Sequence, residues 1–187
     1  PKSDHDYAHE FSEWWRADLE SMVRKDRNHP SVIMYSIGNE IPDIGSPLGS
    51  RLGREMAEAV RALDPTRFVT NCVQPILAIR GFLAEMREKA SAQMAEAGAE
   101  PGVNTMLSAW QDVMAPLLQS SIVADAIEEA CDQVDIAGYN YVDARYAIDG
   151  EMYPNRVIVG SETHSTNIHV NWPLVEQYPH VIGDFTW

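Results

Sequence analysis

Cysteine is scarce in this chain of 187 residues, which contains only Cys72 and Cys131. Two cysteines cannot build the multiple disulfides that hold small secreted domains together. One bridge between them is an open alternative, but we predict two separate buried thiols. Reduced thiols favour a cytoplasmic location.

Basic residues are also few, since 14 Lys and Arg stand against 28 Asp and Glu and give a net charge of −14. Nucleic-acid backbones and anionic membranes bind basic surfaces, so we expect neither as a partner. No uninterrupted apolar run approaches the roughly 20 residues of a membrane-spanning helix, so we predict no transmembrane segment.

Several catalytic signatures are missing as well. Ser161 lies outside a Gly-x-Ser-x-Gly elbow, which excludes that class of serine hydrolase. The glycines at every fourth position from Gly45 to Gly53 lack the Gly-Lys-Ser/Thr of a phosphate loop. His5 and His9 are spaced like metal ligands but have no evident third ligand, so we predict no metal and no other cofactor.

What the chain does have is 45% hydrophobic residues arranged as alternating helices and strands. Apolar periodicity predicts helices at about 10–25, 50–63 and 123–130, with a short one at about 172–177. Apolar runs predict strands at about 32–37, 68–72, 134–138, 156–161 and 181–185. Such alternation is typical of a parallel α/β sheet. Two further helical stretches within about 75–120 exceed what one crossover needs, so we predict an inserted helical hairpin there.

Two glutamates share one context, because Glu40 and Glu162 each follow an apolar strand. In a parallel α/β barrel these strand ends open on one face, where active sites lie. Glycoside hydrolysis uses such a pair, one carboxyl as proton donor and the other as an ionised nucleophile. Most strand-end glutamates are solvated loop residues, so position alone is weak support.

The local sequence strengthens this interpretation. The run from Asp26 to Glu40 (DRNHPSVIMYSIGNE) closely resembles the acid/base segment of glycoside hydrolase family 2, which includes β-galactosidases, β-glucuronidases and β-mannosidases. Asp64-Pro65-Thr66-Arg67 is also similar to the family, 156–162 resembles its nucleophile strand, and 181–187 resembles its last barrel strand. The resemblance implies about strands four to eight of an incomplete (β/α)8 TIM barrel.

The resemblance also implies roles for individual residues. Glu40 would be the general acid/base and Glu162 the nucleophile of a retaining mechanism, with Asn39 bonding the sugar 2-hydroxyl. Tyr141 or Tyr139 would donate a hydrogen bond to the nucleophile; strand parity leaves the choice open, and we favour Tyr141.

Two further residues have alternative interpretations. Trp187 would form a sugar platform, unless it is a core aromatic. Many family members carry Glu-Tyr where this chain has Glu162-Thr163-His164, so His164 either reaches a substrate hydroxyl or packs in its loop.

Together these features predict residues 1–187 to be part of the catalytic barrel of a longer protein. The expected activity is exo-acting on terminal β-linked sugars, with β-galactosides ranked before β-glucuronides and β-mannosides. The alternative is a non-catalytic carbohydrate-binding or scaffold fragment. The strand edges of an incomplete barrel would be exposed, so we expect a homo-oligomer or pairing with the rest of the parent protein.

Overall fold

A computed structural model describes residues 4–85, 88 and 116–187 of the chain. The helices are α1 (Phe11–Asp26), α2 (Pro47–Leu63), α3 (Pro75–Ala78), α4 (Ser121–Asp132), α5 (Tyr146–Met152) and α6 (Ile168–Gln177). The strands are β1 (Met34–Asn39), β2 (Phe68–Val73), β3 (Ile136–Asn140), β4 (Ile158–Thr163) and β5 (Val181–Thr186). Short 3-10 turns lie at Tyr7–His9, Asp143–Arg145 and Ser165–Asn167.

The five strands form one sheet in the order β1-β2-β3-β4-β5, and every neighbouring pair is parallel. A doubly wound sheet reverses its strand order at a switch point, whereas barrel strands follow one another in chain order. The observed order is therefore that of consecutive strands of a (β/α)8 barrel, as predicted. The carboxyl ends of all five strands lie at one edge of the sheet.

Two apolar clusters attach the helices to this sheet. The predicted stripe of α1 buries Trp15, Leu19 and Val23 against α2 and the first two strands. A second cluster packs α4 and α5 against β3, β4 and β5. Burial of each large apolar side chain contributes about 1.5–3 kcal/mol, so these clusters hold the strand ends in place.

The motif Asp64-Pro65-Thr66-Arg67 forms a hydrogen-bonded corner between α2 and β2. The Asp64 carboxylate accepts from the Thr66 hydroxyl and N–H, from Arg67 and from the Tyr35 hydroxyl. Arg67 also donates to the Val32 carbonyl at 2.7 Å, which connects the corner to the segment before β1. Hydrogen bonds, chiefly from the Thr66 hydroxyl, lower the pKa of Asp64 to about 2 although burial opposes them.

A buried ion pair attaches α5 to the core. The side chains of Arg145 and Asp149 are both fully buried, and the guanidinium donates to the carboxylate through two nitrogens at 3.0 and 2.5 Å. Arg145 also donates to the Leu118 carbonyl at 2.8 Å. Because α5 was not predicted from the sequence, this pair is a feature that only the structure supplies.

Both cysteines are free, as predicted. Cys131 is buried, and burial raises the pKa of its thiol to about 12. Cys72 is only half-buried, so the prediction of a buried thiol is wrong for this residue. The Cys72 backbone carbonyl accepts a hydrogen bond from the Glu40 N–H.

Several element boundaries differ from the prediction. β1, β3 and β4 each begin two residues later than predicted. Before β1 and β4, the Val32 N–H donates to the His29 carbonyl and the Arg156 N–H to the Tyr153 carbonyl, so these residues belong to turns and not to the strand ladder. Helix α2 begins at Pro47 because the Ser46 hydroxyl caps it by accepting from the Gly49 N–H. Residues 80–85 and 116–118 are helical, but most of the predicted insertion at about 75–120 lies outside the described residues.

Within the described part, no helix combines the length and apolar character needed to cross a membrane.

Candidate active site

Glu40 follows the last residue of β1, and its backbone adopts the left-handed region with φ of 52°. Its N–H donates to the Cys72 carbonyl of β2 at 2.8 Å, so the turn is fixed by the neighbouring strand. A non-glycine residue in this conformation costs of order 1–3 kcal/mol and is found where the surroundings enforce it, often at functional sites. The turn ends the strand at the predicted carboxylate.

Tyr141 occupies the matching position after β3. Its φ is 57°, and its N–H donates to the Glu162 carbonyl at 2.8 Å. Among the residues that the structure describes, Glu40 and Tyr141 are the two non-glycine residues with positive φ. The strain in the described backbone therefore falls on two residues predicted to belong to the site.

Glu162 lies inside β4, one residue before its end, and not just past the strand as predicted. The ladder extends further than the apolar run because Glu162 pairs with Asn140 after a register shift at Tyr139. Such irregularities re-aim side chains at strand ends. The shift brings Glu162 beside the end of β3.

The Asn140 side chain contacts both glutamates. Glu40 and Glu162 therefore converge, as the sequence predicted, around a residue that it did not. Its side-chain nitrogen lies 3.0 Å from Asn39 Oδ1, 3.2 Å from Glu162 Oε2 and 3.5 Å from Glu40 Oε1. Because those two carboxylate oxygens share one nitrogen, they are at most about 6.7 Å apart. Asn140 is fully buried, and the sequence analysis did not identify it.

Tyr141 is the tyrosine that reaches Glu162, with its hydroxyl donating to Oε1 at 2.5 Å. This hydrogen bond, followed by burial and the charges of Glu162 and Glu40, raises the pKa of Tyr141 to about 12. The phenol therefore remains protonated and donates at neutral pH. The two carboxylate oxygens of Glu162 thus each accept a hydrogen bond, one from Tyr141 and one from Asn140.

Tyr139 does not join this cluster. It is fully buried, stacks on Tyr146, and donates its hydroxyl to the buried Asp149 carboxylate. Burial raises the pKa of Tyr139 well above its usual value. In a regular strand Tyr139 and Tyr141 would share a face. The left-handed turn at Tyr141 breaks that alternation, so the structure places only Tyr141 at the carboxylates.

The remaining predicted residues lie around the strand ends. The His164 ring is exposed and sits 4.5 Å from the Tyr141 ring, between centroids. Trp187 follows β5, and its N–H donates to the Thr163 carbonyl at 2.9 Å. Trp187 is 86% exposed in this chain and lies outside both apolar clusters. Asn39 is exposed, and its amide oxygen accepts from Asn140.

Ser161 is a second residue that the sequence analysis missed in this role. Its hydroxyl donates to Asn140 Oδ1 at 2.7 Å. A polar residue in β3, whose every residue is buried, was the signal that could have pointed to Asn140, because buried amides need hydrogen-bond partners.

In residues 4–85, 88 and 116–187, no group of three or more His, Cys, Asp or Glu side chains is placed to hold a metal ion.

Comparison with known proteins identifies the family. A family model described as glycosyl hydrolases family 2, TIM barrel domain, matches residues 4–140. The chain belongs to glycoside hydrolase family 2. Its resemblance to this family and its assignment as part of a TIM barrel are therefore confirmed.

Individual family 2 proteins support the assignment. A β-galactosidase of Bacteroides ovatus is 34% identical over 106 residues, covering 40% of this chain and 12% of that protein. A β-glucuronidase of Felis catus is 43% identical over 56 residues, covering 28% of this chain and 8% of that protein. The crystal structure of a family 2 member from Bacteroides cellulosilyticus matches 99% of this chain and 18% of its own, with 32% identity and a TM-score of 0.70. The chain thus spans under a fifth of these three family 2 proteins.

Proposed function

We propose that this chain carries both catalytic carboxylates of a retaining, exo-acting β-glycosidase. The observation that carries the proposal is the convergence of Glu40 and Glu162 on one buried amide nitrogen. Retaining glycosidases place their two carboxyl groups roughly 5–5.5 Å apart, and inverting enzymes roughly 6.5–9.5 Å. The upper limit of about 6.7 Å between the facing oxygens accommodates the retaining spacing, and the resemblance to family 2 supports a retaining mechanism.

The hydrogen bonds of Glu162 support its role as the nucleophile. It accepts from Tyr141 through Oε1 and from Asn140 through Oε2, and these donors hold the carboxylate in place for attack on the anomeric carbon. Glu40 gives its proton to the leaving oxygen as the bond to the aglycone breaks. It then removes a proton from the water that cleaves the glycosyl–Glu162 ester, so both residues return to their starting states.

Neighbouring residues would hold the sugar. Asn140 orients the Asn39 amide through its oxygen, and the Asn39 nitrogen would bond the sugar 2-hydroxyl. The exposed Trp187 ring would stack on a sugar face, and His164 would reach a substrate hydroxyl beside Tyr141.

For the substrate we propose a terminal β-galactoside. The similarity to the Bacteroides ovatus β-galactosidase, over 106 residues, supports this choice, while the Felis catus relative makes a β-glucuronide the second candidate. A β-mannoside ranks third.

A panel of aryl β-glycosides tests the proposal in the full-length protein that contains this chain. We expect hydrolysis of one sugar, strongest for the β-galactoside, and loss of that activity in Glu162→Gln. Ser50→Ala, in helix α2, is the matched control and keeps wild-type activity. If the full-length protein binds these sugars but cleaves none, the non-catalytic carbohydrate-binding alternative replaces the proposal.

A further inference from the structure

Asn140 is held in one orientation by partners on both sides of its amide. Glu40 and Glu162 carry carboxylates, which when ionised can only accept hydrogen bonds, so the nitrogen of the amide must face them. The oxygen therefore points the other way, where the Ser161 hydroxyl donates to it at 2.7 Å.

The backbone beside Ser161 and Asn140 leaves room for the hydrogen bond between them. Ser161 neighbours Gly138, which lies two residues before Asn140 on β3. A Cβ atom at position 138 would lie 2.8 Å from the Ser161 hydroxyl and 2.9 Å from the Asn71 carbonyl. Only glycine therefore lets the Ser161 hydroxyl occupy its position below the Asn140 amide.

We propose that Ser161 and Asn140 form a positioning pair for the two carboxylates. Ser161 fixes the Asn140 amide. The two N–H bonds of Asn140 then hold Asn39, at 3.0 Å, and Glu162, at 3.2 Å, with Glu40 as a longer contact at 3.5 Å, and so set the spacing that double displacement needs. This inference rests on the proposed function of the two glutamates.

The physical reason is that Asn140 supplies a donor to the carboxylate that is ionised at each stage. Its partly positive N–H₂ group faces the charge on Glu162 before attack and the charge on Glu40 after the leaving group departs. A reversed amide would instead direct its oxygen at them and add repulsion. The Ser161 hydroxyl opposes this reversal because it donates to the Asn140 oxygen. Ser161 therefore acts on the two carboxylates through Asn140.

The test compares Ser161→Ala, Asn140→Ala and the double variant in the full-length protein. We expect kcat to fall about 10-fold in Ser161→Ala and about 100-fold in Asn140→Ala, with KM changed less than about 3-fold. In the Asn140→Ala background, Ser161→Ala should lower kcat less than about 2-fold, since its effect passes through Asn140.

Ser50→Ala is the matched control, because Ser50 is buried and its hydroxyl donates to the Ile44 carbonyl at 3.1 Å. It should lower the melting temperature about as much as Ser161→Ala while keeping the wild-type kcat and KM. If Asn140→Ala does not fold, the separate effects of Ser161→Ala on kcat and on KM decide the question alone.

Two results would contradict the proposed positioning role of Ser161 and Asn140. One is a wild-type kcat in Ser161→Ala, and the other is an equal loss of kcat from Ser161→Ala in the wild-type and Asn140→Ala backgrounds. Glu162→Gln, measured alongside, separates the two claims. Full activity in Glu162→Gln would remove the proposed function and the pair with it, whereas an inactive Glu162→Gln beside an unaffected Ser161→Ala would remove the pair alone.

Discussion

At the scale of single residues, the Tyr141 hydroxyl is the contact to Glu162 that can be deleted with least disturbance to the fold. Tyr141→Phe removes the 2.5 Å hydrogen bond and leaves the ring in place. We expect kcat/KM to fall about 10- to 100-fold, because the proposed nucleophile loses one of its hydrogen-bond donors. Steady-state kinetics on the best aryl glycoside measures the effect.

Tyr35→Phe is the control for that experiment. It also deletes a tyrosine–carboxylate hydrogen bond, from Tyr35 to Asp64 at 3.1 Å, but within the core formed by α1 and α2. It should lower stability and leave kcat/KM unchanged. Equal kinetic losses in both variants would contradict the assigned role of Tyr141.

The sequence predicted the convergence of the carboxylates but not the residues that organise it. Glu40 and Glu162 could be predicted because each lies in a distinctive local run. The role of Asn140 could not be predicted, because it depends on three strand ends meeting around one amide, although a polar residue at the end of an apolar strand marked the position. The choice between Tyr139 and Tyr141 needed the positive φ at Tyr141, which no alternation rule provides.

At the scale of elements, the corner at Asp64 makes stability depend on pH. The pKa of Asp64 is lowered from 3.8 to about 2, so its contribution is present above about pH 4 and is lost as the pH falls towards about 2. We therefore expect Asp64→Asn to melt at a lower temperature at neutral pH and to show a flatter acid dependence. Thermal melts from pH 7 to pH 2 measure both effects.

Asp43→Asn serves as the control, because Asp43 pairs with Arg80 on the surface with both side chains largely exposed. Such pairs contribute little, so its melting curve should follow the wild type. An acid dependence of Asp64→Asn that matches the wild type would contradict the role of the corner.

The buried pair of Arg145 and Asp149 gives a second prediction at this scale. Asp149→Ala leaves the guanidinium buried without its carboxylate, so unfolding free energy should fall by about 3–5 kcal/mol. Urea denaturation measures it. Arg54→Ala, which breaks an exposed pair with Glu129, should change stability by less than about 1 kcal/mol. A loss below about 1 kcal/mol in Asp149→Ala would show that the pair does not stabilise α5.

Helix α5 escaped prediction for physical reasons. It has seven residues and contains Gly150, and glycine weakens helix propensity. The glycine is required because a Cβ atom there would collide with the His180 ring. Its stability comes instead from Arg145, Asp149 and the packing of Tyr146, which are tertiary contacts. The longer, periodic helices α1 and α2 were predicted well because their apolar stripes are visible in the sequence.

At the scale of the whole molecule, the sheet has two edges among the described strands, β1 and β5, each paired on one side. Large apolar side chains lie exposed on or beside strands, including Ile33, Phe68 and Phe185. Open edges and exposed apolar surface promote association. We therefore expect the chain, expressed alone, to form oligomers in size-exclusion chromatography with light scattering. A stable monomer at micromolar concentration would contradict this expectation.

The central claim, that Glu162 is the nucleophile and Glu40 the acid/base, is tested most directly by azide rescue. Full-length Glu162→Gly and Glu40→Ala would each be given a dinitrophenyl β-glycoside and azide, and NMR would report the anomer of the glycosyl azide. In Glu162→Gly, azide should enter the space left by the Glu162 carboxylate, attack the anomeric carbon from that side and yield the α-glycosyl azide. In Glu40→Ala, azide should attack the glycosyl-enzyme from the opposite face and yield the β-azide. The reverse pair of anomers, or no glycosyl azide from either variant, would contradict the assignment.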